Sequence, residues 1–259
     1  MISIEQLSLF MLVLARVSAF VTFFPLFSKK QLPTLVKLGL SSSLSIFWFC
    51  EIDASSDAIA HQVAGAGAMM VVLLIIKEVT IGVALAMILG AFFLPARVAG
   101  SYVGQELGLS LASISDPGSQ DSSTLVTRLF ETFAILIFFA MNLHHFLIMV
   151  IHFSFKHLFA QSGPLLFPTE LIVTGMNGIT DYGLLIVAPV LILFMLVTLI
   201  LAFMNRAAPS LNLFSVGMSI RAGLGVFCLF LFAPVLFGAL QTYMYRIQED
   251  IEGLLSVML

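Results

Sequence analysis

The sequence predicts an all-α, polytopic membrane protein, and three observations carry that prediction. Hydrophobic residues fill 60% of the 259 positions and charged ones only 10%, where soluble domains carry about 25% charged residues. The apolar residues gather into six runs separated by more polar connections. The first and the last three of these runs reach the ~20 residues that a helix needs to cross a bilayer. A water-soluble chain has nowhere to hide so much apolar surface, so lipid or a large apolar assembly must cover it.

Taken in order, the first run is Leu7–Phe27. The N-terminal stretch MISIEQLSLFMLVLARVSAF carries Glu5 where a signal peptide has a basic start, and it lacks a small-residue cleavage site. It is therefore read as a retained first span. The second run, Leu38–Cys50, has only 13 residues and contains Ser41–Ser43. The third, Ala64–Leu94, has 31 residues, and as one helix it would measure about 46 Å. That overruns the ~30 Å hydrocarbon core and demands tilt, a kink or burial in protein. Leu129–Ile151, Leu184–Met204 and Ala222–Leu240 follow as single spans. Neither an equal-length repeat nor a low-complexity linker divides the chain, so residues 1–259 are read as one domain of helical hairpins.

Charge placement sets an expected orientation. Lys29, Lys30 and Lys37, then Arg97 and Arg128, then Arg206 and Arg221 fall in the odd-numbered connections; the others and the tails hold Lys156 and Arg246. This bias puts the odd connections in the cytoplasm and both termini outside. A net charge of −3 gives no reason to expect nucleic acid. In the last segment Ile247, Ile251, Leu254, Leu255 and Met258 share one helical side, and Arg246, Glu249 and Asp250 fall largely on the other. It reads either as an amphipathic helix lying on a surface or partner, or as a frayed terminal helix. Cys50 and Cys228 match no metal or redox spacing and read as small buried hydrophobes.

Ionisable groups inside the apolar runs need partners. Arg16 sits mid-way along the first run, where a lone arginine costs roughly 2.5–3.5 kcal/mol to insert. Lys77 and Glu78 lie near the middle of the third, and adjacent helical residues point about 100° apart and pair poorly with each other. Glu78 with Arg16 is one available combination. Arg16, Lys77 and Glu78 are expected to form a buried charge network that orients helices; a proton or ion relay is the functional alternative. His144, His145, His152 and His157 include one spacing found in metal-binding histidine boxes, but imidazoles must converge from several helices to hold metal. A boundary or inter-helix hydrogen-bond role is expected for His144 and His145, and no metal or cofactor. No nucleophile triad, phosphate loop or zinc pattern argues for an enzyme.

The middle of the chain reads GSYVGQELGLSLASISDPGSQDSS, Gly100–Ser123. Gly100, Gly104 and Gly108 recur at helical spacing, a smooth face that lets another backbone approach. Ser115–Gly118, reading SDPG, should stop that helix, because Pro117 restricts Asp116 and Gly118 permits a turn. Asp121, Ser122 or Ser123 can then cap the helix that begins near Leu125. Either this is defined backbone buried in protein or lining an aqueous cavity, or it is a plain cytoplasmic loop.

Read together, these pieces resemble the FliR family of flagellar biosynthetic membrane proteins, whose counterparts in virulence-type secretion systems are the SctT proteins. The resemblance runs through Ala15–Arg16, Pro25–Phe27 with Pro33, Lys77–Glu78, GLSLASISDPGSQ at Gly108–Gln120 and LFETFAILIFFAMNLHHFLI at Leu129–Ile148. Its most specific piece is NRAAPSLNLFSVGMSIRAGLG, Asn205–Gly225, where Arg206, Pro209, Asn212, Phe214, Val216 and Gly217 occupy the family's loop motif. The chain departs from the family at Ser219, where proline is common, at Arg221, where lysine is, and at Leu143 in a frequent Gly-His pair. Val216–Gly217 points to the flagellar branch.

The resemblance implies a non-catalytic subunit of a protein export gate, in the bacterial inner membrane at the flagellar basal body. FliP and FliQ homologues would be its partners in a hetero-oligomeric channel for unfolded flagellar proteins, with FlhA and FlhB homologues nearby and lipid around it. It implies kinked hairpins with a FliP-like part at 1–183, then a FliQ-like hairpin and the C-terminal amphipathic helix at 184–259. It also implies a channel plug made of Gly108, Leu109, Ser110, Ala112, Ile114, Asp116, Pro117 and Gly118. A secondary transporter using Arg16, Lys77 and Glu78 is the competing reading, motivated by charges in spans and an interrupted centre. A membrane metalloenzyme is a third.

Overall fold

The computed structural model describes residues 4–27, 32–52, 68–109, 125–159, 169–207 and 213–257. Among these residues the regular structure is entirely helical. Helix α1, Ile4–Phe23, ends where Pro25 forbids continuation, and a short 3-10 turn, Pro25–Phe27, follows. Helix α2, Thr34–Ile52, has 19 residues, well beyond the 13-residue apolar run that announced it. Its serines are absorbed into the helix: Ser41, Ser42 and Ser45 each donate their hydroxyl to the carbonyl four residues back, at 2.7, 2.8 and 2.6 Å.

The overlong third run resolves into two helices, α3 (Ala68–Gly90) and α4 (Leu94–Glu106), with a turn between them. Pro95 explains the break. Its ring nitrogen has no hydrogen to donate to the Ala91 carbonyl, four residues back. The Tyr243 hydroxyl donates to that carbonyl instead, at 2.9 Å, which satisfies a backbone group that lipid could not.

The fourth run corrects an expectation. Leu129–Ile151 is not one continuous helix but parts of two, α5 (Leu125–Ala140) and α6 (Leu143–Leu158). Asn142 stands between them with φ at 57°, in the left-handed region that asparagine tolerates better than most residues. Helices α7 (Thr169–Ala207) and α8 (Leu213–Val257) have 39 and 45 residues, about 58 and 68 Å by helical rise. Pro189 and Pro234 lie inside them without ending either. The described residues of the C-terminal segment are the last turns of α8. Its two-sidedness is real all the same, with Tyr243, Met244 and Ile251 buried and Arg246, Glu249 and Asp250 exposed. Among the described residues, four helices are long and apolar enough to cross a membrane, or up to five if α5 and α6 together make one broken span.

The chain folds into two compact units. The first comprises residues 1–90 and 142–172, the second residues 91–141 and 173–259. In the first, α1 packs against both α2 and α3, and α6 touches α2. Leu9, Val13, Val17 and Phe20 of α1 and Ile81, Leu85 and Leu89 of α3 fill its core. In the second, α4 packs along α5, and α8 reaches both. Ala96, Ala99, Val103, Phe130, Ala134 and Phe138 are buried there at helical spacing. The 183/184 division implied by the resemblance falls inside α7.

Candidate functional site

In the first unit the buried periodicity of α1 carries Arg16 inward with Val13, Val17 and Phe20, and that of α3 carries Glu78 inward with Ile81 and Leu85. The two charges meet: Arg16 Nε donates to Glu78 Oε2 at 2.6 Å, with side-chain exposures of 1% and 3%. Arg16 Nη1 donates to the Ser154 carbonyl at 2.9 Å and to Ser154 Oγ at 3.2 Å. The Ser154 hydroxyl in turn donates a hydrogen bond to the Ile151 carbonyl at 2.8 Å. The guanidinium carbon also lies 4.5 Å from the centre of the Phe155 ring and 5.4 Å from that of Phe159, cation–π contacts that help to replace lost hydration. Arg16 Nη2 has no hydrogen-bond partner among the described residues.

The helices come close enough for this because of Gly82, one turn past Glu78. A Cβ there would run into the Arg16 carbonyl oxygen and stand 3.0 Å from the Ala19 Cβ. Beyond Phe155 lies Trp48, with its ring 5.6 Å away and buried to 1% exposure. Lys77 is half-buried on the neighbouring side of α3. The sequence singled out Arg16, Lys77 and Glu78 but not Ser154, Phe155 or Gly82. A serine or glycine in an apolar helix becomes a signal only once its partner helix is known.

The four histidines His144, His145, His152 and His157 all lie on α6. The His144 and His145 rings lie 4.1 Å apart at the start of α6, and His157 stacks on Phe153 at 4.2 Å. Among the described residues no group of three metal-binding side chains converges.

In the second unit α4 is gripped through glycines. A Cβ on Gly100 would meet the Thr127 Cα of α5 at 2.7 Å, and one on Gly183 would meet Val98 Cγ1 at 2.7 Å. Arg97 and Glu131 close the α4–α5 contact with an ion pair. The expected glycine face needs one correction: α4 ends at Glu106, and Gly108 terminates it rather than extending its face. Gly108 has φ at 74°, its amide bonds the Gln105 carbonyl at 2.9 Å, and the Leu109 amide bonds the Gly104 carbonyl at 3.1 Å. This is a Schellman end, which needs a left-handed residue at that position. Of the expected plug only Gly108 and Leu109 are described; Ser110, Ala112, Ile114, Asp116, Pro117 and Gly118 lie outside the described residues.

The loop motif is divided likewise. Arg206 is exposed in the last turn of α7, Pro209 and Asn212 lie outside the described residues, and Phe214 and Val216 belong to the first turns of α8. Gly217 is buried, and a Cβ there would stand 3.5 Å from Leu201 of α7.

A helical chain with several candidate spans, a sealed ion pair and a helix packed through glycines defines a multi-pass membrane protein. The chain belongs to the family described as bacterial export proteins, family 1, whose model matches residues 7–247. It is similar to the flagellar biosynthetic protein FliR of Bacillus subtilis, at 27% identity over 98% of this chain and 97% of that protein. The FliR of Escherichia coli K12 is also 27% identical, over 86% of this chain and 83% of its own length. The surface presentation of antigens protein SpaR of Shigella sonnei is 25% identical over 72% and 69%. The resemblance drawn from the motifs holds.

Proposed function

We propose that this chain is a non-catalytic subunit of the flagellar type III export gate. It joins FliP- and FliQ-like proteins in the inner membrane at the basal body, where their common channel passes unfolded flagellar subunits. FlhA- and FlhB-like proteins are its neighbours in the export apparatus. The observation that carries this reading is the near full-length match: the family model covers residues 7–247, and the Bacillus FliR aligns over 98% of the chain. Residues 1–183 form the FliP-like part and 184–259 the FliQ-like part, as kinked hairpins. The breaks at Ala91–Phe93 and Asn142, and helices longer than the ~30 Å hydrocarbon core, support such an assembly.

In this reading Gly108–Gln120 plugs the channel at rest. A seal that yields to a passing chain is best held by few and weak contacts, which suits its small residues. Arg16 and Glu78 act as a strut. A transporter or relay using them would need water at the pair, and their exposures of 1% and 2% argue against it.

Co-purification tests the assignment. A tagged chain expressed with its FliP- and FliQ-like partners should elute with both in one stable complex. A chain that elutes alone and catalyses solute transport by itself would refute it.

A further inference from the structure

Three successive residues at the end of α4 dock on one stripe of α8. Glu106 Oε2 lies 3.9 Å from Arg221 Nη1. Leu107, 5% exposed, fills the space that the missing side chain of Gly225 leaves open. The place of a Gly108 Cβ is 3.7 Å from Met218 Cε. Met218, Arg221 and Gly225 are spaced by three and four residues, so they share one face of α8. Arg221 is itself oriented from α7, since its Nη2 donates to Thr198 Oγ1 at 3.1 Å.

The chemistry explains why a cation stands there. A helix C-terminus carries partial negative charge from its free carbonyls, and Glu106 adds a full one. Left alone, the two repel, and the last turn of α4 tends to fray. Arg221 offsets both charges at once, while Leu107 in its gap sets the depth of the contact.

We propose that Arg221 is a positioning residue that holds the end of α4 on α8, and with it the point where the chain leaves toward residues 110–120. Its effect on channel leakage rests on the plug reading above; its effect on the α4 end does not.

The test uses the full-length chain in native membranes, with Cys50→Ser, Cys228→Ala and Leu109→Cys. Leu109 is 37% exposed, so a water-soluble maleimide reaches a thiol there, and labelling quickens further as the α4 end loosens. Arg221→Glu should speed labelling about two- to fivefold, the range a partly exposed ion pair can supply. Arg221→Lys should stay near the parent rate, and adding Glu106→Arg to Arg221→Glu should restore it. Should Arg221→Glu fail to accumulate, Arg221→Gln is read in its place with the same expected direction. Labelling at the parent rate in the charge-altered chain, or a charge reversal that labels as fast as the single variant, would overturn the proposal. Ion leakage separates the two readings, with deletion of Leu111–Ser115 testing the plug by itself. If the deletion leaks but Arg221→Glu labels normally, the plug stands and the positioning role falls. If Arg221→Glu labels faster and neither variant leaks, Arg221 keeps its role and the plug reading falls.

Discussion

The two compact units hold their helices together by opposite means. The first buries a complete ion pair, Arg16 with Glu78, and surrounds it with Ser154 and Phe155. The second leaves its ion pairs, Arg97–Glu131 and Arg221–Glu106, partly open to solvent and packs α4 through glycines instead. Both devices fix helix positions, but they fail differently. Removing one member of a buried pair strands the other in a medium that cannot solvate it. Removing a surface charge leaves a group that water or lipid headgroups can still reach.

Each unit carries a native reporter, which makes the contrast measurable. Trp48 is the single tryptophan, and its ring lies against Phe155 beside Arg16 in the first unit. Cys228, 1% exposed, lies in the second, and with Cys50→Ser it becomes a thiol that reacts only when its surroundings open. Melting in detergent micelles can then be followed separately in the two units.

The largest effect should come from Glu78→Ala, which strands Arg16 and should lower stability by about 3–5 kcal/mol. It should appear as an early transition in Trp48 fluorescence. The paired replacement Arg16→Met with Glu78→Leu should recover most of that loss, because it removes both desolvation penalties together. A loss below ~1 kcal/mol in the single variant would erase the distinction between the units.

Next in size is Gly100→Ala, whose methyl would press on the Thr127 backbone. Overpacking of this kind costs roughly 1–3 kcal/mol. It should advance the reaction of Cys228 while moving the Trp48 transition much less. Equal shifts in both reporters would mean that the units melt as one body.

Tyr243→Phe should follow, at about 1–2 kcal/mol, because it leaves the Ala91 carbonyl without its donor. The same thiol readout applies. A silent substitution would show that water replaces the hydroxyl at the helix break.

Arg97→Ala should be the mildest, at no more than ~1 kcal/mol, and 1 M salt should shrink even that. Its side chain is 57% exposed, so the pair begins from a solvated state. A large effect here would show that surface pairs in this protein carry more than their exposure suggests.

Much of this could be read from residues alone. Charges in separate apolar runs must find partners, and that need made Glu78 with Arg16 one available combination. The 31-residue third run exceeds any ordinary span, which left tilt, a kink or burial in protein open; the structure takes the kink, and Pro95 marks where it falls. Other features left no comparable trace. Asn142 splits an apolar run that reads as continuous, because a single left-handed residue suffices and one asparagine does not by itself mark a break. Gly104 and Gly108 look alike in sequence, yet one lies inside α4 and the other ends it. The join between Glu106 and Arg221 spans 115 positions and has no local signal at all.

The sequence by itself determined the membrane class, the helical content, the resemblance to an export family and the demand that intramembrane charges be paired. Those properties follow from composition and local periodicity, which need no partner to be read. Only the tertiary structure decided which serine and which rings complete the Arg16 site, which carbonyl Tyr243 rescues, and which face of α8 receives the end of α4. Each of those depends on where a distant helix lies, and packing alone sets that.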